Sequence, residues 1–208
     1  MTQATAYIVI ILVILLILHL FWIAVLKFKQ SGRKQRTTDK IAQFEYLVVY
    51  ASQSGNAANL AQQTVLNLQQ HQKRVELIDI QALNQVHLQQ ASKILWFVST
   101  YGEGDAPDTA RIFVHKILNK NIDLSHLQFA ILALGDRSYE RFCQFAKHLN
   151  QWLIHQNAKP LFDMICVDNL NKNDLTRWSV QINDVNQVKL RDLQQQKENW
   201  QALRLIER

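Results

Sequence analysis

Apolar and polar residues follow two different patterns along most of this chain. Short apolar runs rich in β-branched and aromatic residues, which are typical of buried strands, occur at residues 46–50, 94–98 and 129–134. Residues 75–80 (VELIDI) alternate between apolar and polar side chains, which favours a strand nearer the edge of a sheet. Residues 161–167 (LFDMICV) complete the set. The pattern therefore predicts five strands.

Segments with helical spacing separate these strands. Residues 56–70, 109–118 and 139–156 each place their apolar side chains on one helical face, and the chain becomes helical again from Asp174. Continuous apolar strands that alternate with amphipathic helices indicate a parallel sheet with helices on both faces. The sequence therefore predicts a single doubly wound α/β domain with five strands and about five helices.

The first thirty residues show a third pattern. Residues 7–26 (YIVIILVILLILHLFWIAVL) contain no Asp, Glu, Lys or Arg. A helix of this length is about 30 Å long, which is enough to cross the hydrocarbon core of a bilayer. A cleavable signal peptide is the alternative, but it would begin with basic residues and end with small ones, whereas this run ends in Val25 and Leu26. The pattern therefore favours a transmembrane anchor.

Positive charge is concentrated directly after the predicted anchor. Six of the 23 basic residues lie there: Lys27, Lys29, Arg33, Lys34, Arg36 and Lys40. Only Asp39 of the 17 acidic residues accompanies them, so the rest of the chain is close to neutral. The positive-inside rule then predicts that the N-terminus lies outside and the domain lies in the cytoplasm. We interpret the basic cluster as a topology signal that also contacts anionic lipid, and not as a nucleic-acid surface.

These patterns divide the chain into five parts. The predicted order is a short extracytoplasmic N-terminus (residues 1–6), a transmembrane helix (7–26), a basic juxtamembrane linker (27–45), the α/β domain (46–185) and a helical tail or linker (186–208).

Cysteine and histidine spacing supports neither disulfides nor a metal site. Cys143 and Cys166 form no CxxC motif, so the sequence predicts reduced thiols in a reducing compartment. The seven histidines show no ligand spacing with cysteines or carboxylates.

The loop after the first strand has the composition of a phosphate site. In open α/β sheets, ligands bind beyond the carboxyl ends of the strands. Residues 52–57 (SQSGNA) supply two hydroxyls, an Asn side chain and the backbone N–H groups of a helix N-terminus, which suit a phosphomonoester without any Lys or Arg. The loop lacks both the Gly-Lys-Ser/Thr of a P-loop and a GxGxxG motif, so we expect neither ATP nor a dinucleotide. The alternative is an ordinary helix that is capped by Ser54 or Asn56.

The loops after the third and fourth strands each combine glycine, a carboxylate and an aromatic residue. Residues 99–105 (STYGEGD) contain Tyr101, and residues 134–139 (LGDRSY) contain Tyr139. The two tyrosines could cover opposite faces of one flat ring. The alternatives are a Gly-rich surface turn for Tyr101 and the first turn of the next helix for Tyr139. Together, the three loops predict a phosphate cradle and two aromatic lids around a planar heterocycle.

Three motifs in these loops carry a family resemblance. The segments YASQSGNAANLAQ, STYGEGDAPD and LALGDRSYERFCQFAKHL resemble the FMN-binding loops of the flavodoxin module of diflavin reductases. That family includes NADPH–haemoprotein reductases and the flavoprotein subunit of NADPH-dependent sulfite reductase, and the resemblance extends from Tyr46 to Trp178. It implies a flavodoxin-like doubly wound five-stranded parallel sheet that binds FMN non-covalently. An N-terminal membrane helix is itself a feature of the haemoprotein reductases.

The resemblance also implies which residues bind FMN. The first loop (residues 52–57) would hold the phosphate, residues 99–102 of the second would contact the ribityl chain and the ring, and the third loop, residues 134–143, would complete the site. Tyr101 and Tyr139 would stack on opposite faces of the ring, and Asp168, just after the last strand, would supply a carboxylate that contacts FMN. The implied cofactor-binding residues are Ser52, Gln53, Ser54, Gly55, Asn56, Ala57, Ser99, Thr100, Tyr101, Gly102, Leu134, Gly135, Asp136, Arg137, Ser138, Tyr139, Glu140, Arg141, Phe142, Cys143 and Asp168.

Electron transfer is the function that these features favour, and it needs no catalytic acid, base or nucleophile. Carboxylates near the ring would disfavour negative charge on the reduced flavin and lower its potential; the candidates are Glu103, Asp105, Asp108 and Asp136. We expect a membrane-anchored flavoprotein that passes electrons from a reduced-flavin or NADPH-dependent donor to a haem or iron–sulfur acceptor.

Family members commonly continue into FAD- and NADPH-binding modules, which this sequence does not contain. We therefore expect either that the chain is the FMN part of a longer NADPH-dependent oxidoreductase or that a separate protein supplies its electrons. One alternative is a stand-alone, membrane-tethered flavodoxin with no fixed reductase. Another is a membrane-bound scaffold that has lost FMN, although the hydroxyls of Ser52 and Ser54 and both loop tyrosines argue against it.

Overall fold

A parallel sheet organises residues 44–187 and Leu193, which are the residues that the computed structural model describes. The predicted anchor at residues 7–26 and most of the predicted linker and tail lie outside them. Within the described residues, no helix is both long enough and apolar enough to cross a membrane.

All strand pairs of the sheet are parallel, as the apolar runs predict. The strands are β1 Tyr46–Ala51, β2 Val75–Asp79, β3 Lys93–Ser99, β4 Gln128–Gly135, β5 Lys159–Pro160 and β6 Ile165–Asp168. Their order is β2-β1-β3-β4-β5, and β6 also pairs with β4. The predicted doubly wound parallel sheet is therefore confirmed.

The last strand differs from its prediction at residues 161–167, because only residues 165–167 belong to a strand (β6) and a separate two-residue strand (β5) precedes residue 161. β5 pairs with the first part of β4 and β6 with the second. Residues 161–164 separate β5 from β6, whereas only two residues of β4 lie between the corresponding partners. The two extra residues cannot follow the ladder, so the chain bulges away from β4. The bulge is packed, because the ring of Phe162 lies edge-on to Trp178 with 5.3 Å between the ring centroids.

Helices connect the strands. They are α1 Asn56–Gln70, α2 Gln85–Gln90, α4 Gln144–His155 and α5 Lys172–Asn186, while α3 combines a 3₁₀ turn (Asp108–Ala110), an α-helical turn (Arg111–Phe113) and a π-helical turn (Val114–Leu118). The helix predicted at residues 139–156 begins five residues late. Cys143 has a left-handed backbone with φ of 56°, which ends the preceding turns and starts α4 at the next residue.

The short helix α2 has no counterpart among the predicted helices, because six residues give too little periodicity. Its N-cap, Asn84, does carry a local signal. The Asn84 side chain accepts the backbone N–H groups of Val86 and His87 at 2.9 and 3.2 Å.

Two apolar clusters cover the two faces of the sheet. Leu47 and Val49 of β1 belong to the first cluster, together with residues of α3 and α4, whereas Tyr46 and Val48 belong to the second, with residues of α1 and α5. This alternation shows that β1 is buried on both sides, as parallel sheets require. Leu193, in the predicted tail, is helical and buried in the second cluster.

Candidate functional site

The predicted loops and Asp168 meet at one edge of the sheet. The strand registers place the last residues of β1, β3, β4 and β6 within one residue of the same level. The chain leaves β1 for β2 on one side and then returns to β3 on the other, so the topological switch point lies between β1 and β3. In sheets of this kind, ligands bind at the switch point. We call this edge of the sheet, bounded by residues 52–57, 99–105 and 134–143, the crevice.

The first loop leaves a helix N-terminus uncapped by side chains. The N-cap of α1 is Gly55, with a left-handed backbone and no capping side chain. The Ser54 hydroxyl instead accepts the Asn56 side-chain amide at 3.2 Å. The alternative of a helix capped by Ser54 or Asn56 is therefore wrong, and the N–H groups of the first turn remain available to an anion.

Three buried hydroxyls near the switch point have no hydrogen-bond partner among the described residues: those of Ser52, Thr100 and Thr109. Gln53 ties their segments together, because its side-chain oxygen accepts the backbone N–H of Asp108 at 3.3 Å. A buried hydroxyl without a partner costs about 1–3 kcal/mol, so such groups are rare in folded proteins. These hydroxyls could serve as partners for a polar ligand at this edge.

The second loop is a tight turn that packs against the third. Tyr101 and Asp105 exchange two backbone hydrogen bonds of 2.9 Å, and the Tyr101 side chain is 58% exposed. Gly104 has φ of 117°, and a Cβ atom there would lie 2.8 Å from Cβ of Arg141. Only glycine allows this contact between the two loops.

The third loop begins with an internally bonded turn. The Asp136 carboxylate accepts the hydroxyl and the backbone N–H of Ser138 at 2.6 and 2.8 Å, and these two bonds hold its pKa below the ordinary value. Tyr139 lies in the turns before α4 and is 43% exposed. Its alternative role as the first turn of a helix is therefore wrong, and its stacking on a ring stays a prediction.

Asp168 joins the third loop to β6. One oxygen accepts the backbone N–H of Arg137 at 3.0 Å, and the other lies 3.9 Å from Nε of the same arginine. The Asn169 side-chain amide also donates to Asp168, and the Arg137 guanidinium lies over the Phe142 ring. Asp168 therefore positions the third loop; its direct contact with FMN stays a prediction. Sequence reasoning missed this link because 31 residues separate its two ends.

The remaining predicted residues divide by exposure. Glu140 and Arg141 are exposed, whereas Ala57, Ser99, Leu134 and Cys143 are buried. The buried residues offer a ligand mainly their backbone. Among the four candidate carboxylates, Asp108 is paired with Arg111 at 3.1 Å, so its charge is partly offset.

A groove of about 410 Å³ lies between the second loop, α3 and the start of α4. Gly104, Asp105, Val114, Leu118, Arg141 and Phe145 are among its lining residues. No residue of the first loop lines it. Within the described part of the chain, no cluster of three or more His, Cys, Asp or Glu side chains could hold a metal ion.

Comparison with known proteins identifies the relatives of this domain. A family model described as Flavodoxin matches residues 48–181. The sulfite reductase [NADPH] flavoprotein alpha-component of Vibrio cholerae is 31% identical over 147 residues, which are 70% of this chain and 24% of that protein. NADPH oxidoreductase A of Dictyostelium discoideum is 33% identical over 124 residues, which are 59% of this chain and 20% of that protein. The chain thus spans a fifth to a quarter of the length of these relatives.

Solved structures show the same fold. A flavodoxin from Streptococcus pneumoniae superimposes with a TM-score of 0.59 at 19% identity, over 68% of this chain and 97% of the other. Oxidised flavodoxin 2 from Bacillus cereus gives a TM-score of 0.57 at 25% identity, over 67% and 98%.

We predict that replacing Asp168 with Ala loosens the third loop. The Arg137 amide loses its acceptor, so its hydrogen exchange should accelerate about five- to tenfold, which corresponds to roughly 1 kcal/mol for one partly exposed hydrogen bond. Hydrogen exchange followed by NMR measures this rate. Asp168→Asn keeps an acceptor oxygen and should show a smaller effect, while Asp163→Ala, in the bulge, is the matched control. An unchanged Arg137 rate in Asp168→Ala would contradict the positioning role.

Proposed function

The chain belongs to the flavodoxin family, and on that premise we propose that it is a membrane-anchored electron-transfer flavoprotein. It takes electrons from an NADPH-dependent flavoprotein donor and delivers them to a haem or iron–sulfur acceptor. The observation that carries the proposal is the crevice at the switch point, where an uncapped helix N-terminus meets buried hydroxyls without partners.

The cofactor is FMN, as the sequence predicts and as family membership confirms. Flavodoxins are the type example of binding at the switch point of a 2-1-3-4-5 sheet. The residues present fit this group, because the first turn of α1 offers N–H donors to a phosphate without any Lys or Arg in the loop. The hydroxyls of Ser52 and Thr100, which follow the neighbouring strands β1 and β3, would supply further donors at the same edge of the sheet.

FMN supplies the redox chemistry, since it accepts electrons in pairs and releases them singly. The chain binds it and sets its environment. In this proposal, Tyr101 and Tyr139 stack on its two faces, and each contributes about 0.5–1.5 kcal/mol beyond the burial of its area. Their exposed rings, on two loops that contact each other through Gly104, support this role. Asp136 places negative charge on the third loop, which disfavours further negative charge on a ligand nearby.

The names of the relatives support an NADPH-linked donor. They are described as a sulfite reductase flavoprotein component and an NADPH oxidoreductase, and this chain matches only one part of each. We propose that the chain works with FAD- and NADPH-binding modules, either on a longer polypeptide or on a separate protein. The second candidate is a stand-alone tethered flavodoxin, which the 98% coverage of Bacillus cereus flavodoxin 2 favours.

The membrane attachment rests on the sequence alone. The uncharged run at residues 7–26 supports a single-pass anchor, and the basic residues after it support a domain in the cytoplasm. The same basic cluster would contact anionic lipid.

We predict that Ser52→Ala and Thr100→Val weaken FMN binding without destabilising the apo protein. Each removes a donor to the ligand, so the Kd should rise about tenfold, which corresponds to about 1.4 kcal/mol. Each also removes a buried hydroxyl that has no protein partner, so the free energy of unfolding of the apo protein should stay the same or rise. FMN titration and urea unfolding measure the two quantities.

The control for these variants is Ser92→Ala, since Ser92 is exposed and precedes β3 at the opposite edge of the sheet. It should change neither quantity. Unchanged FMN affinity in both crevice variants, together with loss of apo stability, would assign the two hydroxyls a structural role instead.

We predict that the reduced protein donates electrons one at a time to a haem acceptor. After chemical reduction without oxygen, one protein molecule should reduce about two molecules of cytochrome c, because the bound flavin carries an electron pair. Stopped-flow absorbance measures the reaction, and the FMN-free protein is the control. A separate FAD-containing NADPH reductase should be needed before NADPH can reduce the flavin. Failure of the reduced protein to reduce the haem would contradict the carrier function.

We predict that the full chain stays with membranes through high-salt and alkaline washing, whereas a chain that begins at Ile41 is released. Salt would remove a purely polybasic contact but not a spanning helix. Protease added to the outer face should leave the FMN domain intact, and digestion there would overturn the proposed orientation.

A further inference from the structure

The two cysteines of the chain meet behind the third loop, although 23 positions separate them in sequence. Cys143 ends the loop as the residue before α4, and its thiol donates to the backbone carbonyl of Ala133 at 3.6 Å. Cys166 lies on β6 directly opposite the same Ala133. Both cysteines therefore lie beside Ala133 and pack with the same apolar cluster, and neither is part of a disulfide.

The surroundings keep the two sulfurs in place. A Cβ atom on Gly135 would lie 3.0 Å from Sγ of Cys143, so that thiol packs directly against the β4 backbone. Cys143 is fully buried in the first apolar cluster, and Cys166 is half-buried against the same cluster. The pair therefore has one shielded member and one that solvent reaches.

The contact makes the two thiols chemically different. The hydrogen bond with Cys166, together with burial, raises the pKa of Cys143 above the ordinary thiol value. The same hydrogen bond lowers the pKa of Cys166 to about 7, against the opposing effect of burial. Lys147 and Arg137 also lower the pKa of Cys166, while Asp174 raises it. The reactive thiolate therefore forms on the more accessible sulfur, next to a thiol that keeps its proton.

We propose that Cys143 and Cys166 form a peroxide-reactive thiol pair, in which Cys166 reacts first and Cys143 closes an intramolecular disulfide behind the third flavin loop. The ligand class is a small hydroperoxide, with hydrogen peroxide as the simplest member. The proposal rests on the meeting of the two cysteines at Ala133 and on their unequal exposure.

The reaction balances in two steps. The Cys166 thiolate attacks one oxygen of hydrogen peroxide, the O–O bond breaks, and the departing hydroxide takes up a proton as water, leaving a sulfenic acid. The Cys143 sulfur then attacks the sulfenic sulfur; the S–S bond forms, the S–O bond breaks, and the Cys143 proton leaves with the hydroxyl as a second water. Two thiols lose two electrons in total, and one peroxide is reduced to two waters.

The disulfide would connect the end of the third loop to β6. Cys166 lies two residues before Asp168, whose carboxylate already accepts the N–H of Arg137 in the same loop. Oxidation would therefore fasten a loop of the flavin crevice at a second point, and a dithiol reductant would release it.

The first experiment uses the full chain with its flavin, in detergent and in the dark, so that flavin photochemistry supplies no oxidant. Hydrogen peroxide is added in steps, and free thiols and intact mass are measured. We expect both thiols to disappear together, the mass to fall by about 2 Da on formation of the disulfide, the chain to stay monomeric on a non-reducing gel, and dithiothreitol to restore both thiols. Oxygen addition without thiol pairing, dimers linked through disulfides, or two unreacted thiols would each overturn the proposal.

Single variants test the order of the two steps. In Cys143→Ser, the sulfenic acid on Cys166 has no partner thiol, so dimedone should label it. In Cys166→Ser, the same peroxide exposure should leave Cys143 unlabelled, because its thiol is buried. Circular dichroism and the flavin spectrum verify that each variant is folded. Labelling of Cys143 in preference to Cys166 would overturn the assigned order, and the wild-type measurement stands even if a variant does not fold.

Discussion

Because neighbouring parallel strands run in the same direction, all their carboxyl ends reach the same edge of the sheet. In this chain the shared direction of the strands places the loops after β1, β3, β4 and β6 side by side, although these loops come from positions 52 to 168 of the sequence. Both faces of the sheet are closed by helices, so that edge is where backbone and polar side chains can meet a ligand without disturbing the core. The crevice follows from the topology, and the loop residues then determine its chemistry.

The sequence predicted the strands and most helices well because apolar periodicity records burial directly. It failed where burial was not the deciding factor. The start of α4 depends on the left-handed backbone of Cys143, which leaves no trace in the hydrophobic pattern. The interruption between β5 and β6 arises from two extra residues relative to β4, and such a count appears only once the register is known.

The same limit applies to the candidate site. Its three loops were recognisable because glycine, hydroxyl and aromatic residues clustered after apolar runs. The contacts among the loops were not recognisable, because the Arg137 to Asp168 hydrogen bond and the meeting of Cys143 with Cys166 at Ala133 join residues that are distant in sequence. The absence of a CxxC motif could not show whether the two cysteines lie close together in the fold. The lack of protein partners for the Ser52 and Thr100 hydroxyls also becomes visible only in three dimensions.

The split last strand has a consequence for how copies of this domain behave toward one another. A long, regular outermost strand exposes a row of backbone donors and acceptors that can recruit the same strand of another molecule. Here that position is occupied by two pieces of two and four residues with a packed bulge between them, so a second chain finds no continuous ladder to extend. At the opposite border, Glu76 and Asp79 place like charges along β2. Both margins of the sheet thus discourage edge-to-edge aggregation, even in a crowded population of identical molecules.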